Sequence, residues 1–165
     1  MQALYAWEMD HDTPIMKLEG QLKTQIQKSI TLYLTDLTYL IEVCQYSMVD
    51  KAKRLAKYIK TEADQKASTS IAANAIVTFL QEDAQLIASV KKEGVKNYVD
   101  EEVVKALFVD LCARQKYIDY CALEKPSFED DKEIIQYILR EVFQTNKDLE
   151  HHLEELLLNY DDDNA

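Results

Sequence analysis

The sequence predicts an all-α protein, an irregular antiparallel helical bundle built around one long central helix. Only two glycines and two prolines punctuate the 165 residues. Leu, Ile, Lys, Glu, Gln and Ala are abundant, and most of these lose little side-chain freedom in a helix. Apolar positions recur at helical spacing, and no repeat of fixed period emerges, which disfavours a solenoid. With 47% hydrophobic residues at this length, one domain around one sizeable core is the expectation.

The elements follow in chain order. Met1 to Met9 reads as helix from its first residue, with no Ser, Thr, Asp or Asn ahead of it to accept the first N–H groups. The chain therefore reads as a piece of a longer protein. Thr13 and Pro14 supply a cap and a first helical residue, so a second helix is expected to start near Pro14. From Ile30 the positions Ile30, Leu34, Leu37, Ile41, Cys44 and Met48 form an apolar stripe, which Leu55 and Ile59 extend. Thr61 to Ser70 is small and polar without apolar period, the best candidate for a flexible connection.

Helices are then expected from Ile71 to Leu80 and from Glu82 to Glu93, the latter stopped by Gly94. Asp100 reads as the cap of a helix buried through Val103, Val104, Leu107, Phe108, Leu111 and Cys112. That helix is expected to bend near Gln115 and to run to Leu123, ahead of Pro126. Ser127 and Asp130 approximate a capping box for a helix buried through Ile134, Ile135, Ile138, Leu139, Val142 and Phe143. Asn146 caps a last helix with Leu149, Leu153, Leu156 and Leu157 inside.

A formal charge of −11 argues against a simple nucleic-acid binder, because such proteins present a basic footprint. Cys44, Cys112 and Cys121 form no Cys-x-x-Cys pair, and each falls where a helix buries a small side chain. No apolar run approaches the roughly 20 residues of a membrane span, and a reduced cytoplasmic protein is expected.

Candidate chemistry is sparse. Asp148-x-x-His151 and His152-x-x-Glu155 place carboxylate and imidazole one turn apart. A carboxylate-bridged metal bundle needs such a motif on two helices, so a solvated helix face is the expected reading, with no metal and no cofactor. His11 sits in a polar turn. No Gly-x-Ser-x-Gly elbow or glycine-rich phosphate loop occurs, and no catalytic residue is assigned.

Charge reverses locally at Lys51, Lys53, Arg54, Lys57 and Lys60. Lys53, Arg54 and Lys57 lie three or four residues apart on overlapping faces and are the candidates for RNA phosphates. The bland reading, that they complement the negative end of the long helix, is favoured because only Tyr58 is interleaved for stacking. Most of the ten tyrosines, including Tyr33, Tyr117, Tyr120 and Tyr137, follow apolar stripes and are expected in the core or at its boundary.

Gln2-Ala3-Leu4-Tyr5 followed by Trp7-Glu8 resembles the first-helix signature of the NusB transcription antitermination factors. Tyr98-Val99-Asp100-Glu101-Glu102 and Ser127-Phe128-Glu129-Asp130-Asp131-Lys132 look like the longer NusB form of Bacteroidetes-type bacteria, whose first half is expanded. The resemblance implies an all-helical, two-lobed fold that pairs with NusE, a small-subunit ribosomal protein, and binds boxA-type RNA. It places Gln2 and Tyr5 in the RNA-proximal motif. On that reading the chain is the expanded N-terminal half, without the arginine-rich start and the second lobe, and it is expected to bind RNA weakly or not at all by itself.

Two other classes compete. An acidic helical adaptor would dock a basic protein surface through Glu129 to Asp131 and Asp161 to Asp163. A metal-dependent helical-bundle enzyme would use His151, His152 and nearby carboxylates.

Overall fold

The computed structural model describes residues 15–59, 61–65 and 67–162. Gln2, Tyr5, His11, Thr13, Pro14, Lys60 and Asp163 lie outside the described residues. The described chain is all-α, without strands. Its axis is helix α1, Ile15–Leu55, which at 41 residues is about 60 Å long. Around the second half of α1 pack a 3-10 turn at Ser70–Ala73, α3 (Ala75–Glu82), α4 (Ala84–Lys92), a 3-10 turn at Val95–Tyr98 and α5 (Glu101–Ala113). Helices α6 (Gln115–Cys121), α7 (Phe128–Tyr137), a π-helical stretch Ile138–Phe143 and α8 (Lys147–Asp162) complete the bundle. The single turn Glu62–Gln65, α2, follows the end of α1.

The principal core joins Tyr39, Leu40, Val43 and Cys44 of α1 to Leu107, Phe108 and Leu111 of α5 and to Ile134, Ile138 and Val142. A smaller cluster, Leu34, Val90 and Val95, lies beside it. The buried face of α1 is not the expected stripe. Ile30 and Met48 are exposed, Leu37 and Ile41 are half-buried, and Thr31, Thr35, Thr38 and Ser47 are buried. Polarity does not expel these hydroxyls, because each donates to a carbonyl of its own helix: Thr31 to Gln27, Thr35 to Thr31, Thr38 to Leu34 and Ser47 to Cys44, at 2.7–3.1 Å. Tyr33, expected near the core, is exposed as well.

Local chemistry sets most boundaries. Helix α1 ends at Leu55, so Ile59 does not extend the stripe and stands 81% exposed. The helix expected from Ile71 starts four residues later, because the Asn74 side chain accepts the N–H groups of Ile76 and Val77 and divides a 3-10 turn from α3. Asp83 caps α4 through Leu86 N at 2.7 Å, and Gly94 follows that helix at φ +64°. Asp100 caps α5, Ser127 and Asp130 form a reciprocal capping box, and Asn146 accepts from Leu149 N at 2.9 Å. The expected bend near Gln115 is a full interruption at Arg114, whose backbone is extended (φ −84°, ψ 130°). Among the described residues no helix is long and apolar enough to cross a membrane.

Candidate functional site

The cationic end of α1 was the one local charge reversal in the sequence, and the structure turns it into an ion-pair cluster. Arg54 Nε donates to Asp50 Oδ2 at 2.5 Å, one turn back on the same helix. Lys57 Nζ donates to Asp64 Oδ1 at 2.8 Å, and an Arg54 terminal nitrogen lies 4.0 Å from the same oxygen. Lys53 does not join them: it donates to the Tyr46 hydroxyl at 3.2 Å with its ammonium 5.2 Å from that ring's centre.

Asp64 organises the cluster. Its carboxylate also accepts the Thr61 N–H at 3.0 Å and the Thr61 hydroxyl at 2.9 Å, while Thr61 Oγ1 accepts the Asp64 N–H at 3.2 Å. This is the same reciprocal pattern as Ser127 and Asp130, and it caps α2. The Lys57 ammonium, then the Thr61 N–H and hydroxyl, hold the Asp64 carboxyl well below the usual carboxylate range. Sequence reading passed over Asp64. The Thr61-x-x-Asp64 spacing was the signal, in a stretch read only as a connection.

Beside the cluster opens a cleft of about 640 Å³, lined by Asp50, Arg54, Phe108, Cys112, Tyr117 and Cys121. Burial pushes the Cys112 thiol up to about 11, with Asp50 adding to the effect and Arg54 opposing it. Burial also raises Cys121, and it raises Cys44 in the core to about 12. These thiols stay protonated at neutral pH, so the cleft holds no ready thiolate nucleophile.

The two histidines of α8 divide. His151 is exposed and 3.3 Å from Glu155. His152 is half-buried, which corrects the expectation of a solvated pair. Its Nε2 donates to the Tyr98 carbonyl at 2.6 Å, and its ring meets the Tyr39 ring edge-on at 5.9 Å. Tyr39 in turn accepts the Asp100 N–H at 3.0 Å, so this set ties α8, α1 and the start of α5 together. Among the described residues no three His, Cys, Asp or Glu side chains converge as a metal site.

The acidic run Glu129 to Asp131 is not a continuous surface. Glu129 is exposed and pairs with Lys132, and Asp130 is occupied in the cap. Asp131 is buried: Oδ1 accepts the Tyr120 hydroxyl at 2.6 Å and Oδ2 accepts the Ala75 N–H at 2.8 Å. Asn74 Nδ2 donates to the Asp131 carbonyl at 3.1 Å and to Tyr120 Oη at 3.3 Å. A buried carboxylate with two donors at a helix start is a structural fastener between α3, α6 and α7.

Compared with protein-family models, curated proteins and solved structures, the chain matches none of them.

Proposed function

We propose that the chain works as a non-catalytic, NusB-like transcription antitermination factor, acting in a complex with NusE and boxA-type RNA. The observation that carries the reading is the stretch Gln2-Ala3-Leu4-Tyr5 with Trp7-Glu8 at the head of an all-α chain. The ion-pair cluster supports a division of labour within it. Arg54 and Lys57 are engaged by Asp50 and Asp64, so phosphate contacts there would have to compete with existing carboxylates. The described helices then contribute protein contacts more than RNA contacts.

The test is immunoprecipitation of the native protein from its source cells at moderate salt. Recovery of NusE together with boxA-bearing RNA is the expected result; recovery of neither refutes the reading. A second reading, an acidic helical adaptor, is favoured by the same paired cations and by the charge of −11. It predicts recovery of a basic protein without RNA, lost at high salt.

A further inference from the structure

A second cleft, of about 650 Å³, lies where α3 and α4 pack beside α1. Its walls are aliphatic: Ile41 of α1, Leu80 of α3, and Leu86, Ile87 and Val90 of α4. The floor is fixed, because Val90 is buried with Leu34 and Val95, and Leu86 packs against them. No aromatic ring lines the cleft, so it offers no stacking surface for a nucleobase or another flat ring. Charge gathers at one end. Lys91 lies in the last turn of α4, Gly94 turns the chain at φ +64°, and Lys96 follows, so that both lysines line the same cleft. Their neighbour Lys92 pairs with Glu93 at 3.4 Å, whereas the Lys91 and Lys96 side chains make no ion pair or hydrogen bond among the described residues.

We propose that this cleft binds an aliphatic carboxylate, a monoanion with an unbranched hydrocarbon chain, its head group between Lys91 and Lys96 and its chain along Ile41, Leu86 and Ile87. The volume falls in the range of small-molecule sites, roughly 300–1,000 Å³, whose walls are mostly apolar with a few polar groups that fix orientation. Removing the hydrocarbon chain from water supplies the affinity, and the two unpaired cations select the sign of the head group. Glu42 also lines the cleft. Two lysines against one carboxylate leave a single net positive charge, which suits one negative charge better than the two of a phosphate monoester. In a chain of formal charge −11, two lysines without carboxylate partners locally offset the repulsion an anion meets elsewhere. The site stands whether or not the chain serves in antitermination.

Isothermal titration calorimetry of decanoate into the purified chain, below the micelle concentration, tests the site, with decanol and decyltrimethylammonium as chain-matched controls. Saturable binding of one decanoate per chain is expected, tighter than that of either control. Lys91→Gln and Lys96→Gln should each weaken it by about two- to five-fold, the range for an exposed ion pair, and Ile87→Asp should abolish it. Glu42→Gln should tighten binding by a similar factor, because it removes the opposing carboxylate. All four side chains are exposed, so circular dichroism should show the helix content of each variant unchanged. No saturable binding, decanol bound as tightly as decanoate, or an affinity indifferent to the combined Lys91→Gln and Lys96→Gln variant would each overturn the proposal. Binding to anionic phospholipid vesicles with none to decanoate would overturn it too, because the lysines would then serve a membrane surface.

Discussion

Removing the Asp131 carboxylate should be the most damaging single polar change in the bundle. In Asp131→Ala two donors lose their acceptor: the Tyr120 hydroxyl, now at 2.6 Å, and the Ala75 N–H, at 2.8 Å. Asp131 is only 7% exposed, so water cannot readily replace it. An orphaned donor costs about 1–3 kcal/mol, and loss of the negative charge at the start of α3 adds a few tenths, giving a total of about 3 kcal/mol. That is a large share of the roughly 5–15 kcal/mol by which domains are stable. Asp131→Asn keeps the shape and one acceptor and should lose about half as much, roughly 1.5 kcal/mol. Equilibrium urea unfolding followed by circular dichroism reads both changes as a lower midpoint at constant m. A double-mutant cycle with Tyr120→Phe should give a coupling of about 1–2 kcal/mol, because the two groups share one short hydrogen bond. A loss below about 1 kcal/mol for Asp131→Ala, or a coupling near zero, would refute the reasoning.

Three further outcomes follow from local geometry. Asp64 has its folded pKa depressed below the ordinary carboxylate value, so its contribution is complete well above about pH 4 and is lost as acid protonates the folded carboxylate. Hydrogen exchange at residues 61–65 should accelerate on acidification, and Asp64→Asn should exchange fast at every pH; equal protection in the two proteins would remove Asp64 from its role. Gly94, at φ +64°, should tolerate alanine sterically, since the added Cβ meets only Asn97 Nδ2 at 3.6 Å. The left-handed backbone alone should then cost about 1 kcal/mol, measurable as a thermal shift of a few degrees. Cys44, fully buried with its thiol pushed up to about 12, should react with Ellman's reagent only at the global unfolding rate, whereas half-buried Cys112 and Cys121 should react earlier; prompt labelling of three thiols would contradict the packing.

Much of the bundle was legible because helix boundaries are written in short-range chemistry. Asp100, Ser127 with Asp130, and Asn146 each accept N–H groups two or three residues ahead, and such contacts depend on spacing alone. The buried face of α1 was not legible in this way. Ile30, Tyr33 and Met48 look as suitable for a core as Leu34 or Cys44, and Thr35 or Thr38 look less so. What decides is which side meets α3, α4 and α5, and a threonine that bonds its own helix pays little to be there.

The candidate site divides along the same line. Its cations could be counted from the sequence, but their partner Asp64 lies beyond the end of α1, and the turn that brings it back depends on Thr61. Asp131 looked like one of three exposed acids until the approach of Tyr120 and Ala75 buried it. By itself the sequence determined the helical class, most caps and breaks, and the overall acidity, because these rest on composition and on contacts within a turn. Only the tertiary structure decided which carboxylates are surface charge and which are fasteners, and which face of α1 is core. Those properties depend on residues distant in sequence meeting where water is excluded.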